Sequence, residues 1–537
     1  IKNKASFIIA ARRSYIDVLA RPFVPLLQNG GELNFYDLTL KTNYNVDRKN
    51  RLYLSAYFGR DNFKFDKTQG FNWGNATSSL RWNHLFNERL FSNLTLVYSK
   101  YDYALQFGKD ENNQFTWNSS ISTFILKPQF SYFINSKNEL TFGGEATYYT
   151  FEPANAKGVT NGSTVDNSLE RRYNLEAAAY VGNSQKVNDY LSLDYGIRFS
   201  NFQYMGPGTV YTYRDTIPGT RKPVAGSKKY GDGETIATYN NFEPRLSFRA
   251  QTSSVSSLKA SYNRMAQYLH LISNTTASNP LDVWNPSSNN IKPQIADQFT
   301  FGYFRDIGST KKYEISVEGY LKYTQNQIDY INGANLFINK YLEGDLLIGQ
   351  GRAYGIELYF QKKTGRLTGW VSYTLGKSEL KVDGINRGEW YDTRFNQTHN
   401  LKITGFYDIN KRWSVSGNFV YLSGTPTTFP TSRVIEQGIL IPYNANETRN
   451  NVMLPSYHRL DISFTLQGKR MKNGKERKNT DYWVFSIYNL YARKNPFSIY
   501  FSQNDQRVPQ GQALESQATQ LSIIGSIVPS VSYNFKF

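Results

Sequence analysis

Long apolar runs are missing from this chain, and their absence argues against one large class of membrane protein. A membrane-spanning helix needs about 20 predominantly apolar residues, whereas Phe7 to Ala11 is typical of the longest run here. Hydrophobic residues make up only 39% of the sequence, and the mean hydropathy is -0.55. A helical membrane protein is therefore not expected.

Cysteine is absent, and the chain holds only four histidines: His84, His270, His399 and His458. The lack of cysteine is compatible with an envelope protein without establishing one, because disulfides are optional there. No histidine has metal-ligand spacing to a neighbouring histidine or carboxylate, so a structural zinc or haem site has no support. No Ser–His spacing marks a nucleophile and its base, so we expect neither enzymatic activity nor a cofactor.

Concentrated basic segments are also scarce, although the formal charge is +19, from 62 basic and 43 acidic residues. The lysines and arginines are dispersed among strands and turns, and the longest cluster, Lys469 to Lys478, reads as a turn. Nucleic-acid binding is therefore not expected. Cations dispersed in this way are expected to lie on polar surfaces throughout the molecule rather than in one binding patch.

Aromatic residues, by contrast, are abundant at 16%, and apolar and polar residues alternate along much of the chain. Tyr36 to Tyr44, Leu191 to Phe199 and Leu460 to Gln467 each place apolar side chains on one face and polar ones on the other. A period of two indicates β-strands with one apolar surface. Alternation alone fits a soluble sandwich as well as a membrane barrel.

Three further features favour the membrane barrel. Segments such as Phe91 to Phe107 and Lys312 to Tyr330 exceed the usual strand length of about five or six residues. About 20 strands can be placed, with no competing helical domain. Short connections such as Asp47 to Asn50 alternate with long ones such as Ser14 to Gly31, Glu152 to Asn167 and Met205 to Tyr239. The sequence predicts an all-β fold: one transmembrane antiparallel up-and-down β-barrel over residues 1–537, with short periplasmic turns and long extracellular loops.

Several segments resemble the barrel of TonB-dependent outer-membrane receptors of the Bacteroidetes type. They are Lys4 to Tyr15, Phe242 to Phe248, Ile291 to Gln298, Gly349 to Leu358, Gly369 to Leu375 and Tyr457 to Asp461. The C-terminal alternation of Val531, Tyr533, Phe535 and Phe537 also looks like the signal by which outer-membrane barrels are recognised for assembly. The resemblance covers essentially the whole chain.

The resemblance implies a 22-stranded barrel around an N-terminal plug domain, which the TonB protein displaces by pulling on a short box near the N-terminus. No plug or TonB box precedes Lys4, and the strand count is about two short. We therefore expect the plug and a first hairpin to lie upstream of Ile1, with the last strand pairing to that hairpin rather than to Lys4 to Arg13. An open sheet edge in lipid would leave backbone groups without partners.

The resemblance also implies a function and a set of partners. We expect active import of a scarce nutrient, such as a siderophore, glycan or peptide, across the bacterial outer membrane. The implied partners are TonB-ExbB-ExbD, the plug, outer-membrane lipid and lipopolysaccharide, with a surface lipoprotein or other outer-membrane subunits as further candidates. A passive porin and a structural barrel subunit of a larger complex are the alternatives.

Candidate functional residues fall into two groups. The first combines aromatic and cationic side chains in predicted extracellular loops and would suit a polar or anionic ligand; it comprises Tyr268, His270, Trp284, Trp390, Tyr391 and Arg394. The alternative is that the aromatic residues belong to the girdle at the membrane interface and that Arg394 is a loop charge exposed to water. The second group is predicted to face the lumen, where it would pair with an acidic plug surface or keep the interior hydrated: Arg12, Arg198, Arg245 and Arg249.

Overall fold

A computed structural model describes most of the chain. The described residues are 4–19, 21, 25–28, 30–64, 69–110, 113–160, 163–272, 283–308, 310–336, 338–436, 439–443, 448–469, 471–472, 475–476, 479–503, 516–522 and 525–536. Phe537 and part of the basic cluster from Lys469 to Lys478 lie outside them.

The alternating segments form one antiparallel sheet of 22 strands. Two of these are short segments, Ser163–Asp166 and Tyr391–Asp392, and the other 20 are the long strands of the barrel. The long strands are β1 (Ala5–Arg13), β2 (Glu32–Asn45), β3 (Asn50–Lys64), β4 (Gly70–Leu85), β5 (Leu90–Asp110), β6 (Asn113–Asn135), β7 (Asn138–Thr160), β8 (Arg172–Lys186), β9 (Leu191–Met205), β10 (Thr235–Ser253), β11 (Ser256–Gln267), β12 (Gln294–Ile307), β13 (Tyr313–Tyr330), β14 (Leu346–Lys362), β15 (Leu367–Val382), β16 (His399–Asp408), β17 (Trp413–Leu422), β18 (Tyr457–Gln467), β19 (Thr480–Tyr488) and β20 (Val528–Lys536). The predicted fold class and strand number are confirmed.

Each long strand pairs with its neighbours in chain order, as in an up-and-down barrel. The strand β1 pairs with β2 as expected, with Arg12 opposite Asp37, and β20 pairs with β19. Among the described residues, no ladder joins β1 to β20. The hairpin expected upstream of Ile1 stays a prediction.

The two faces of the sheet differ as the alternation predicts. On β9, Ile197 and Phe199 are 45% and 38% exposed, whereas the side chain of Arg198 between them is only 17% exposed. Exposed apolar side chains recur on the same face of the neighbouring strands, including Phe242 and Leu246 on β10. The apolar face therefore points outward, and the polar face lines the lumen.

One end of the sheet carries tight turns closed by Asx side chains. In the turn after β2, Asp47 Oδ1 accepts hydrogen bonds from the backbone N–H groups of Lys49 and Asn50, at 2.7 and 2.8 Å. Asn87 plays the same part before Leu90, and Asn410 before Trp413. These side chains stabilise the tight turns, which lie where the sequence predicted short connections.

At the opposite end, one predicted loop is wrong. The segment Glu152 to Asn167 is mostly strand: β7 runs to Thr160 and pairs with Ser163–Asp166. The connections 65–69 and 111–112 at this end are also short. Here the strands extend beyond the apolar band and pack against loops, with Phe151 and Ala156 buried. Without a lipid-facing side, the alternation that marks a strand in the sequence is lost.

The loops hold several short elements. Two four-residue helices, Ile16–Leu19 and Pro25–Gln28, follow β1, and two 3-10 turns occupy Leu342–Asp345 and Asn386–Gly388. Small hairpins pair Gly208–Tyr213 with Val224–Tyr230, Leu269–Ile272 with Val283–Pro286, Pro426–Thr427 with Val452–Met453, Ser432–Glu436 with Ile439–Tyr443, Met471–Lys472 with Lys475–Glu476, and Ser498–Gln503 with Ser516–Leu521. Within the described part of the chain, no helix is long and apolar enough to cross a membrane.

Candidate functional site

A charged network on the lumenal wall centres on Arg198 of β9. Its guanidinium lies 3.0 Å from Glu176 Oε1, 3.3 Å from Glu243 Oε1 and 3.9 Å from Glu145 Oε2. These carboxylates come from β7, β8 and β10, so one cation ties four strands. Of the other arginines predicted to face the lumen, Arg12 pairs with Asp37 at 2.6 Å, and Arg245 lies 3.8 Å from Glu243.

Tyr268 belongs to the same network and is buried. Its hydroxyl lies 2.7 Å from Ser200 Oγ and accepts a hydrogen bond from Asn241 at 2.9 Å. Its ring stacks on Phe202, with 4.8 Å between ring centroids. Tyr268 therefore anchors the loop after β11 to the wall of the barrel and has no free face for a ligand.

His270 and Trp284 lie on the hairpin that follows Tyr268. His270 is 4% exposed, and its Nε2 lies 3.0 Å from Ser287 Oγ. Burial lowers the pKa of His270 to about 4, so the ring is neutral at pH 7. Trp284 lines a small crevice together with Tyr101 of β5 and Phe151 of β7.

The other three predicted ligand residues point in different directions. The ring of Trp390 stacks with the Arg352 guanidinium, 4.1 Å away, on the outward face of β14. Tyr391 is buried and donates a 2.5 Å hydrogen bond to Asp329 Oδ2; burial and this carboxylate raise its pKa, so the phenol stays neutral. Arg394 lies over the Phe395 ring at 4.4 Å. The six residues predicted to bind ligand therefore do not form one site.

The long loops are tied together by ion pairs and small apolar cores. Arg221 donates to both oxygens of the buried Asp345, at 2.7 and 3.0 Å. Arg449 pairs with the buried Asp329 and donates to Asn332 at 2.9 Å. One apolar core joins the loops after β11 and β13; it comprises Ile272, Ile291, Leu336, Leu342 and Leu346.

Backbone contact also joins two of these loops. Gly219 and Gly384 both have positive φ, at +88°, and they touch so closely that a Cβ on Gly384 would clash with the backbone nitrogen of Gly219. Only glycine meets both conditions without strain. The loops thus form a cap over one end of the barrel.

Within this cap lies a polar cavity of about 200 Å³. Its walls come from four segments that are far apart in the sequence: 168–172, 204–213, 289 and 339–343. The lining side chains include Glu170, Arg171, Arg172, Tyr204, Thr209, Tyr211, Tyr213, Asn289, Asn339, Lys340 and Glu343. None of the residues that the sequence predicted to bind ligand is among them, because no local pattern marks residues brought together by loop packing.

Hydrogen bonds and ion pairs hold the charged groups of the cavity in place. Glu170 accepts hydrogen bonds from the Thr209 N–H at 2.6 Å and from its hydroxyl at 3.1 Å. Arg172 lies 3.4 Å from Glu343. The ammonium of Lys340 lies 5.6 Å from the centroid of the Tyr211 ring, and its hydrogen bond to Tyr211 raises its pKa. Carboxylates, an ammonium group and phenols are thus presented to a polar ligand.

The described residues include no group of three or more histidines and acidic residues placed to hold a metal ion. The side chains that line the cavity are able to bind a polar molecule through hydrogen bonds, charge and aromatic contact.

Comparison with known proteins gives a consistent result. A family model described as TonB dependent receptor-like, beta-barrel, matches residues 22–490. No curated protein matches the chain. Among solved structures, the chain is similar to the ferric-catecholate import receptor Fiu from K12 E. coli, with a TM-score of 0.63 and 12% identity over 100% of this chain and 78% of that chain.

Two further structures have the same fold. The ferric citrate transporter FecA, unliganded, gives a TM-score of 0.62 and 12% identity, over 94% of this chain and 70% of that chain. The ferric yersiniabactin uptake receptor FyuA from Yersinia pestis gives a TM-score of 0.62 and 11% identity, over 95% of this chain and 72% of that chain. At these identities the likeness shows the fold alone.

Proposed function

Since the chain belongs to the TonB dependent receptor-like β-barrel family, a family of outer-membrane transport receptors and not of enzymes, we propose that it actively imports a polar nutrient that binds in the cavity of the loop cap. The observation that carries this proposal is the cavity itself, with fixed charges and tyrosines at one end of a polar lumen. A scarce siderophore, glycan or peptide offers groups that these side chains can bind.

Import in this proposal is driven from the periplasm. TonB with ExbB-ExbD displaces a plug that fills the lumen, and the ligand then passes through the barrel. The plug and one further strand pair are supplied by polypeptide outside residues 1–537. Among the described residues, β1 pairs only with β2 and β20 only with β19. These edges support the strand pair, because backbone groups in an apolar layer need partners. The segments Lys4 to Tyr15 and Gly349 to Leu358 support assignment to the Bacteroidetes type.

Uptake measurements test this proposal. Cells that carry a double substitution, Glu170→Gln with Lys340→Gln, are compared with wild type for uptake of labelled siderophores, glycans and peptides at limiting concentration. We expect the substitution to lower uptake of one class by about tenfold, because two charged contacts in the ligand site are lost. Lys228→Gln, on the neighbouring hairpin and outside the cavity, is the matched control.

A second arm tests the energy source. A protonophore is expected to abolish uptake by wild-type cells, since active import depends on the proton-motive force. Uptake that survives the protonophore would contradict active import and favour a passive channel. If deletion of the gene leaves the uptake of every tested compound unchanged, the result would favour a structural subunit of a larger complex.

A further inference from the structure

Arg172 joins the wall of the barrel to two loops of the cap. It lines the polar cavity, donates a hydrogen bond to Asn285 Oδ1 and lies 3.4 Å from Glu343 Oε1. Arg172 is the first residue of β8, Asn285 belongs to the short strand Val283–Pro286 after β11, and Glu343 belongs to the 3-10 turn after β13. These three residues are called the Arg172 junction below.

The contacts of Arg172 leave part of its guanidinium available to a ligand. Both Asn285 and Glu343 are reached through the same nitrogen, Nη1. Among the described residues, no hydrogen bond is made by Nη2 or Nε of this side chain. A guanidinium has five donors in a planar fork that matches the two oxygens of a carboxylate. Arg172 therefore keeps donors for a carboxylate that enters the cavity.

The other charged side chains of the cavity narrow the choice of anion. Arg171 already pairs with Glu152 at 3.1 Å, and the ammonium of Lys340 lacks a planar fork. Glu170 and Glu343 belong to the same lining, and like charges repel. A group with one negative charge therefore fits better than a doubly charged one, so the cavity favours a carboxylate over a phosphate.

The lumenal wall next to the Arg172 junction is buried, but its amide groups are poorly satisfied. Asn174 follows Arg172 on the lumenal face of β8, because side chains alternate along a strand, and it is 0% exposed. Among the described residues, neither amide atom of Asn174 has a hydrogen-bond partner, and neither does the amide nitrogen of Asn285. Buried amides without partners cost free energy. The Arg172 junction therefore holds closed an arrangement that these amides oppose.

We propose that Arg172 is the carboxylate-binding residue of the cavity, and that a carboxylate of the imported molecule replaces Glu343 at its guanidinium. The inference rests on the proposed function, which places the ligand in this cavity. Glu343 stays hydrogen-bonded when it leaves, because its other oxygen accepts a 2.6 Å hydrogen bond from Asn290. This bond also links the 3-10 turn to the loop after β11, so repulsion between the two carboxylates moves both loops away from the wall together.

Thiol labelling tests whether Arg172 holds this region closed. Ser287 is 0% exposed, and residues 1–537 contain no cysteine, so Ser287→Cys in the full-length receptor gives a buried thiol whose reaction with a maleimide is followed by mass spectrometry. We expect Arg172→Gln to speed this labelling about tenfold, because an ion pair and a charge-assisted hydrogen bond are lost. Arg214→Gln, which removes an exposed arginine outside the cavity, is the matched control and should leave the rate unchanged.

A matched pair of small molecules tests the ligand group. Propionate carries a carboxylate, and propionamide is a neutral molecule of nearly the same shape. With Arg172 intact, propionate is expected to speed the labelling of Ser287→Cys about threefold, because a ligand favours the state that it binds better. Propionamide, and sodium chloride at the same ionic strength, should have no effect. Inorganic phosphate should act more weakly than propionate, and in Arg172→Gln propionate should add nothing.

A second reporter thiol detects general unfolding. Ala156 is 0% exposed in an apolar cluster with Tyr103 and Trp117, so Ala156→Cys should label slowly in every variant. If Arg172→Gln also exposes this site, Glu343→Gln takes its place, because it removes the ion pair and keeps the shape of the side chain. Glu343→Gln should speed the labelling of Ser287→Cys and leave little further effect of propionate.

The outcomes separate this inference from the proposed function. Uptake that falls in the double variant Glu170→Gln with Lys340→Gln, together with unchanged labelling in Arg172→Gln and Glu343→Gln, would overturn the inference and leave import in place. No effect of propionate, or an equal effect of propionamide, would also overturn the carboxylate exchange, and a stronger effect of phosphate would contradict the choice of anion. The expected labelling in a receptor that imports none of the tested compounds would instead overturn the proposed function.

Discussion

Two parts of the lumenal wall contain cations, and they differ in how the charge is balanced. Around Arg198, three carboxylates from neighbouring strands converge on one guanidinium. Around Lys41 and Arg81, the described residues supply hydroxyls and an aromatic ring but no carboxylate. The first arrangement is complete within the barrel and ties strands together. The second leaves its two cations without a carboxylate among the described residues.

Removing Arg198 should have the largest effect on the free energy of unfolding. Arg198→Ala removes the cation that Glu145, Glu176 and Glu243 share. Glu145 keeps Lys127 and Glu243 keeps the more distant Arg245, but Glu176 loses its ion-pair partner among the described residues, so we expect a loss of about 3–5 kcal/mol in the free energy of unfolding. Urea titration of the barrel folded in lipid vesicles measures it. Glu176→Gln is a milder comparison, because two carboxylates would still contact Arg198. A loss for Arg198→Ala no larger than for a single exposed lysine would contradict the stabilising role of the network.

Placing a cation on the outer face tests the assignment of the two faces. Ile197 is adjacent to Arg198 but points outward, so Ile197→Arg puts a charge into lipid at a cost of about 2–4 kcal/mol near the bilayer midplane. Ser184→Arg, on the lumenal face of the neighbouring strand β8 and opposite Asp194 and Glu139, is the control and should cost much less. Equal losses in the same urea titration would show that the two faces of the sheet were assigned incorrectly.

A buried titratable group without a counter-charge should make the loop cap sensitive to acid. The folded pKa of His270 is about 4, below the ordinary value of 6.5. The contribution of His270 to the stability of the packed loop is fully present above pH 6.5 and is lost as pH falls towards 4. The cause is that the opened loop binds a proton that the packed loop excludes. The loss reaches about 3 kcal/mol at most.

Hydrogen exchange of Leu269–Ile272, corrected for the intrinsic rate, measures this effect between pH 7 and pH 4.5. Protection should fall with pH in wild type. In His270→Gln, which retains a donor and acceptor for Ser287 but does not titrate, the corrected protection should be flat. The same fall in both proteins would show that another group is responsible.

The smallest effect on stability is expected at Lys41 and Arg81, which line a recess of the lumenal wall between β1 and β5. Lys41→Ala and Arg81→Ala should each change the free energy of unfolding of the barrel by no more than about 0.5 kcal/mol, because neither side chain has an ion-pair partner among the described residues. Urea titration in parallel with Arg198→Ala gives the comparison directly. A loss as large as that of Arg198→Ala would mean that the recess stabilises the barrel itself.

The barrel could be predicted from the sequence because lipid imposes a strict pattern on it. Ile197 and Phe199 must be apolar where they face lipid, and their neighbours Arg198 and Ser200 must not be, so alternation reports the strand directly. Beyond the lipid that constraint ends, which is why β7 was predicted to stop near Glu152 although it continues to Thr160.

The cavity could not be predicted, for a related reason. Arg172 and Glu343 are 171 residues apart, and Arg221 and Asp345 are 124 apart. Their proximity depends on how whole loops pack, which no local spacing encodes. The same packing explains why Tyr268 and Tyr391, which look in the sequence like exposed aromatic loop residues, are buried in the structure.

The contact between Gly219 and Gly384 has a consequence for how much change these two loops tolerate. Both residues have positive φ, and a Cβ on either would meet the backbone of the other. A side chain at either position therefore carries two penalties at once, a strained backbone and a forced separation of the loops. The pair fixes the spacing of the two loops at a single value.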